Sequence, residues 1–238
     1  MANNTTVTPV TLPLRDRAEA GRLLGAALEV HRGPDLLVLA LPRGGVCVAA
    51  EVARVLESAL DLMIVRKLGV PPHPELAMGA IGSGGVRVMN QDVIEALGIG
   101  PDVVDAVAER EQRELERRER VYRGARAPLC LRGRTVLLVD DGLATGATMR
   151  AAVRAAAAQQ PAALLAAVPV ATVAARDALL GEVDELTCLA TPAHFGVVGR
   201  WYQSFPQISD AEVRGLLGAA WHRGAMNQEP PTEARVTP

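Results

Sequence analysis

The chain has 238 residues, a net charge of −2 and 49% hydrophobic residues, enough for one large α/β domain with a sizeable core. That balance offers no basic field for nucleic acid, and no apolar run reaches the roughly 18 residues of a membrane span. The first residues lack the basic-then-apolar order of a secretory signal. The scattered Cys47, Cys130 and Cys188 suit reduced thiols in a cytoplasmic protein better than disulfides or a zinc site.

Residues 1–13 and 226–238 are polar and aperiodic, so frayed tails are expected at both ends of a single 1–238 domain. Asp16 to Leu28 has helical spacing, and Leu36 to Leu41 is a continuous apolar run of buried-strand type. Pro42-Arg43-Gly44-Gly45 breaks that run before a helical pattern over Val46 to Leu60. A short strand is predicted at Leu62 to Val65, ending at Arg66-Lys67.

Glycines and prolines punctuate residues 68–89, which read as a mobile flap with a hairpin of Met78 to Ile81 and Val86 to Met89 across Ser83-Gly84-Gly85. Pro101 starts a charged helix to about residue 123. Four Glu-before-Arg pairs at i,i+4 (Glu109–Arg113, Glu114–Arg118, Glu116–Arg120, Glu119–Arg123) predict a solvated face or a contact in a homodimer.

Thr135 to Val139 is a strand that ends in Asp140-Asp141. A small-residue turn, Gly142-Leu143-Ala144-Thr145-Gly146-Ala147-Thr148, leads from it into an alanine-rich helix. Strands at Ala163 to Val170 and Glu185 to Ala190 flank a helix at Thr172 to Leu180, and Ser209-Asp-Ala-Glu212 is a capping box for a last helix. Alternation of strands and helices implies a doubly wound, mostly parallel sheet. Residues 191–222 form a small C-terminal hood in this reading. Phe195, Trp201, Tyr202 and Phe205, four of the six aromatics, crowd into eleven residues there.

The turn after Asp141 pairs carboxylates, which can hold a sugar diol, with a helix N-terminus, whose N–H groups can hold a phosphate. Arg43 and the pair Arg66-Lys67 are predicted at neighbouring strand ends, where open α/β sheets bind ligands.

Asp140-Asp141-x-x-x-Thr145-Gly146-x-Thr148 after four apolar residues resembles the phosphoribosyl pyrophosphate (PRPP) motif of type I phosphoribosyltransferases, a resemblance that covers residues 36–205. The chain looks closest to stand-alone bacterial members of unassigned substrate. The resemblance implies that Asp140 and Asp141 meet the ribose 2′- and 3′-hydroxyls, near Mg2+ held mainly through the substrate. It implies that Leu143, Ala144, Thr145, Gly146, Ala147 and Thr148 hold the 5′-phosphate. Arg43-Gly44-Gly45 matches the family's pyrophosphate loop. Val65-Arg66-Lys67 is similar to the opening of the orotate enzymes' catalytic loop, so Arg66 and Lys67 are the expected catalytic cations.

Two departures limit the carry-over. Hypoxanthine–guanine enzymes have an acidic base where this chain has Ala144, and the Asp of their purine tail is replaced near Gln203 and Ser204. The aromatic cluster is therefore open to two readings, a base-stacking hood or core packing. His73 and Glu75 in the flap are candidate acid–base groups, while His194 reads as structural. The function expected is Mg2+-dependent phosphoribosyl transfer from PRPP to a nitrogenous base. A non-catalytic PRPP sensor is the alternative. A generic nucleotide module is disfavoured because no G-x-x-x-x-G-K-[ST] or G-x-G-x-x-G follows a strand.

Overall fold

The computed structural model describes residues 4–6, 10–71 and 73–226. A six-stranded, all-parallel sheet is built from β1 (Asn4–Thr6), β2 (Leu36–Ala40), β3 (Ala59–Leu62), β7 (Thr135–Val139), β8 (Ala163–Val170) and β9 (Glu185–Ala190), in the order β1-β9-β8-β7-β2-β3. A three-stranded antiparallel sheet follows β3 in sequence: β4 (Val65–Val70), β5 (His73–Gly82) and β6 (Val86–Met89). The helices are α1 (Arg17–Ala27), α2 (Gly45–Val55), α3 (Gln91–Ala96), α4 (Pro101–Arg123), α5 (Ala147–Ala157), α6 (Val173–Leu180) and α7 (Asp210–Met226).

The pleat divides each central strand between two hydrophobic layers. Leu36, Val38 and Ala40 of β2 and Leu137 and Val139 of β7 face a layer that includes residues of α1, α2 and α7. Leu37 and Leu39 of β2 and Val136 and Leu138 of β7 face the opposite layer, under α5 and α6. Burial on both faces explains why these strands are unbroken apolar runs rather than alternating ones.

Several expectations are corrected. The N-terminal tail contributes a strand, with Asn4, Thr5 and Thr6 paired to Glu185, Leu186 and Thr187, and Val10 and Leu12 pack on the core. The C-terminal tail lies outside the described residues beyond Met226. The helix expected to run to Leu60 ends at Val55, and positive φ at Glu57 turns the chain into β3. The main-sheet strand is thus 59–62 rather than 62–65. Asp61 hides it, because a strand containing an acid does not read as buried.

That acid is paired. Arg123, from the last turn of α4, donates to both oxygens of Asp61 at 2.9 and 3.0 Å with both side chains nearly enclosed. Its use there withdraws it from the i,i+4 pattern, in which Glu109–Arg113 and Glu114–Arg118 do form. The charged helix is also not solvated all round, since Val104, Val107, Ala108 and Leu115 are buried against the core. Arg123→Met should lower stability by about 3–5 kcal/mol by leaving Asp61 buried without a cation. Asp61→Leu with Arg123→Met should lose much less, and the shift in urea midpoint of each protein measures the difference.

The flap segment, too, is largely packed. Leu68, Val70, Met78, Ala80 and Ile81 are buried, and the hairpin across Ser83–Gly85 is present as expected. The Ser83 hydroxyl accepts from the Ile64 N–H at 3.1 Å, and the Ser83 carbonyl accepts from Gln159 at the end of α5 at 3.0 Å. The Ser209–Glu212 capping box is reciprocal, with the Ser209 N–H to Glu212 at 2.8 Å and the Glu212 N–H to the Ser209 hydroxyl at 3.2 Å.

Candidate active site

Because β2 and β7 are neighbours in register, with Ala40 opposite Val139, the loops that follow them meet. Gly44 and Gly45 allow the meeting. A Cβ on Gly45 would stand 2.9 Å from both the Asp140 Cα and the Val139 carbonyl oxygen, and one on Gly44 would collide with the Asp141 carboxylate. The Gly44-Gly45 loop is therefore seated directly on the two acids.

The acid loop is held from beneath. Leu143 is buried; its N–H donates to the Val170 carbonyl and its own carbonyl accepts from the Thr172 N–H, both at 2.9 Å. The Thr172 hydroxyl donates to the Ala144 carbonyl at 2.9 Å. Gly146 then adopts a left-handed φ of 72° as the residue before α5 and, being glycine, brings no side chain to cap the first turn. Ala144, Thr145, Ala147 and Thr148 are exposed around it. The Ala147 N–H reaches the Thr145 hydroxyl at 3.4 Å; among the described residues the rest of the first turn has no side-chain cap, which leaves a helix N-terminus able to take a phosphate.

Asp140 and Asp141 differ in their partners. The Asp141 carboxylate accepts from Arg17 Nε at 2.8 Å, and its carbonyl accepts from the Tyr202 hydroxyl at 2.7 Å. Among the described residues, the Asp140 carboxylate has one partner, the Asp141 N–H, which donates to Oδ1 at 2.8 Å. Burial and then the adjacent Asp141 charge raise the Asp140 carboxyl well above its ordinary range. Burial raises Asp141 as well, against the opposing pull of Arg17.

The expected cations separate. Arg43 lies half-exposed, 3.7 Å from Asp210 at the start of α7. Arg66 and Lys67 are not at the end of a main-sheet strand but inside β4. Arg66 donates twice to Glu111 of α4, at 2.8 and 2.6 Å. Burial tends to raise the Glu111 carboxyl, but its bonds to Arg66 and Arg110 prevail and hold it below the usual range. Lys67 lines a cavity of about 140 Å³ with Gly79, Met89, Ala147 and Arg150. This cavity joins the small sheet to the first turn of α5.

The aromatic cluster is mainly packing. Phe195 and Tyr202 are buried, Trp201 donates to the Phe195 carbonyl at 2.9 Å, and the Tyr202 and Phe205 rings are 4.9 Å apart. A Cβ on Gly142 would stand 2.6 Å from Val198, so this segment closes over the acid loop. His73 is exposed on β5. The side chain of Glu75 lies outside what is described.

Arg17 escaped the sequence reading, and only its place in the first turn of α1 could have drawn attention to it. Among the described residues no group of three His, Cys, Asp or Glu could by itself hold a metal. A lightly partnered Asp140 beside the first turn of α5 fits Mg2+ arriving already bound to substrate phosphates, the usual habit of that ion.

The phosphoribosyl transferase domain model matches residues 18–198. Relatives from two strains of Mycobacterium tuberculosis, both provisionally named phosphoribosyl transferase, are 48% identical over 210 residues, which is 87% of this chain and 47% of theirs. The chain thus spans about half the length of these curated relatives. The crystal structure of TT1426 from Thermus thermophilus is 40% identical, with a TM-score of 0.79 over 86% of this chain and 97% of that one. This chain belongs to the phosphoribosyl transferase domain family.

Proposed function

We propose that the protein transfers the phosphoribosyl group of Mg2+-bound PRPP to a nitrogenous base and releases pyrophosphate. The observation that carries this reading is the seating of Gly44-Gly45 on Asp140-Asp141 beside the open N-terminus of α5. One surface then offers donors for a 5′-phosphate, a carboxylate for a ribose diol and a backbone loop for a diphosphate.

Each part has a separate task. The first turn of α5 and the Thr145 and Thr148 hydroxyls anchor the 5′-phosphate, and the acid loop orients the ribose, so binding far from the anomeric carbon supplies positioning. The Gly44-Gly45 loop and Lys67 stabilise charge on the departing pyrophosphate. Mg2+, when bound with the substrate, supplies further neutralisation of that charge. Ala144 offers no proton acceptor, so the incoming base is not deprotonated at that position. The acceptor is a purine, a pyrimidine or a related heterocycle.

Incubation with PRPP, Mg2+ and a panel of such bases should release pyrophosphate with at least one of them. A second reading, a PRPP sensor without chemistry, is favoured by the engagement of Arg66 with Glu111 rather than with the acid loop. PRPP binding with no turnover across the panel would select it, and absence of PRPP binding would sink both.

Lys67→Ala should lower kcat by about 100-fold, the scale for losing one charge-stabilising group, with PRPP affinity changed far less. Arg66→Ala should instead cost about 1–3 kcal/mol of stability through loss of a part-buried carboxylate partner. Steady-state kinetics and urea titrations on the two variants distinguish these effects. Equal loss of turnover in both would return Arg66 to the chemistry.

A further inference from the structure

Arg17 reaches the acid loop from the first turn of α1 and touches three segments of the chain. Its Nε donates to Asp141 Oδ2 and its Nη1 to the Pro206 carbonyl, both at 2.8 Å. The guanidinium carbon stands 3.6 Å from the centre of the Phe205 ring. A Cβ on Gly44 would come within 3.1 Å of Nη2. The side chain is only 9% exposed. Asp141 is further fixed through the Tyr202 hydroxyl on its carbonyl, and its N–H is what holds Asp140 Oδ1.

We propose that the two acids have different jobs, with Asp140 receiving the ribose diol and Asp141 withheld from substrate by Arg17, a positioning residue that sets the Asp140–Asp141 peptide. This rests on the phosphoribosyl reading above. Competition for the carboxylates divides the labour. A charge-assisted guanidinium–carboxylate bond is stronger than a bond from a neutral hydroxyl, so a diol that displaced Arg17 would exchange a strong bond for weaker ones and strand a buried cation. Each carboxylate has one oxygen outside these bonds, but that of Asp141 belongs to a group already neutralised by Arg17, whereas Asp140 has no cation against it and is the stronger acceptor for a diol. Arg17 also ties the acid loop to Pro206 and Phe205, so the position of Asp140 depends on a contact 124 residues away in sequence.

The test is calorimetric titration of Mg2+-PRPP into the full chain and its variants, with urea unfolding of each. Asp140→Asn should weaken binding at least ~100-fold, through loss of charge-assisted bonds to the diol. Asp141→Asn should weaken it by no more than ~10-fold, through altered positioning. Arg17→Met should weaken binding ~10-fold or more, and Asp141→Asn in that background should restore most of the loss, because the amide needs no counter-charge. Such non-additivity is the mark of a coupled pair, and a purely structural role for Arg17 would not give rescue of affinity.

Asp141→Asn as damaging as Asp140→Asn, or additive losses at 17 and 141, would overturn the proposal. If Arg17→Met does not fold, the Asp140 and Asp141 variants, which keep Arg17, decide the matter alone. A wild-type chain that does not bind Mg2+-PRPP removes the phosphoribosyl reading and this inference together. A wild-type chain that binds, with an Asp141→Asn variant that does not, removes only the inference.

Discussion

Asp140→Asn is expected to make the unliganded protein more stable while removing most of its affinity for Mg2+-PRPP. In the wild type this carboxylate sits beside Asp141, and among the described residues it has no cation of its own. Burial and that neighbouring charge raise its pKa in the fold. A raised carboxyl contributes stability that is fully present below its unfolded value of about 3.9, and the contribution is lost as pH rises through the folded value. Above that folded value the protein therefore carries an unfavourable ionised Asp140. An amide removes that burden yet keeps an oxygen for the Asp141 N–H.

Thermal unfolding at pH 7 should show a gain of about 1 kcal/mol, or roughly 2–4 °C for a chain of this size. The gain should shrink as pH falls through the folded value, where the wild-type carboxyl becomes protonated in the fold. Calorimetry should show Mg2+-PRPP affinity reduced at least ~100-fold, since neutral amide bonds to the diol are weaker than charge-assisted ones. A variant that is less stable at every pH, or that binds as tightly as wild type, removes Asp140 from the role assigned to it. A more stable protein with poorer binding is the signature of a group retained for its ligand rather than for the fold.

What could be read from the sequence follows the range of the interactions. The units β2–loop–α2 and β7–loop–α5 were legible because an apolar run, a small-residue turn and a helical pattern lie within some twenty consecutive residues. The turn proposed to hold the phosphate, residues 143–148, is equally local. The partners of the acids are not: Arg17 lies 124 positions from Asp141, and nothing near Arg17 marks it as other than a surface arginine of α1. The pair Asp61–Arg123, 62 positions apart, concealed β3 for the same reason. A strand acid looks solvent-exposed until its cation is found.

Residues 65–89 show a different failure. Their glycines suit a flexible loop, yet Gly79 and Gly82 serve close packing. A Cβ on Gly79 would stand 2.6 Å from the Val88 carbonyl oxygen, and one on Gly82 would stand 2.7 Å from Ala155 of α5. Composition cannot separate glycine kept for freedom from glycine kept for contact. The motif marks Arg66 as a catalytic cation, whereas the fold pairs it with Glu111, an acid on a helix whose charge pattern reads as solvated.

Gly45→Ala tests whether the contact between the two loops organises the site. Gly45 opens α2, and by helix propensity alone alanine would be favoured there by about 1 kcal/mol. Contact dictates the opposite sign. The added methyl would lie 2.9 Å from the Val139 carbonyl oxygen and the Asp140 Cα, both backbone atoms. Neither can move aside as the end of a side chain can. The Val139 oxygen also accepts the Leu41 N–H at 2.9 Å, so retreat of that carbonyl strains the junction of β2 and β7. A net loss of about 2–3 kcal/mol is expected, the scale of overpacking a closed contact. Mg2+-PRPP affinity should fall with it, because separating the loops moves the diphosphate and diol positions apart. Gly181→Ala is the control: it has no heavy atom within 4 Å of the new Cβ and φ is −86°, so it should change stability by no more than about 0.5 kcal/mol. Urea titrations and PRPP calorimetry on the two variants give the comparison. If Gly45→Ala matches Gly181→Ala in both, the loops are not in obligatory contact, and the diphosphate and diol positions are set independently of one another.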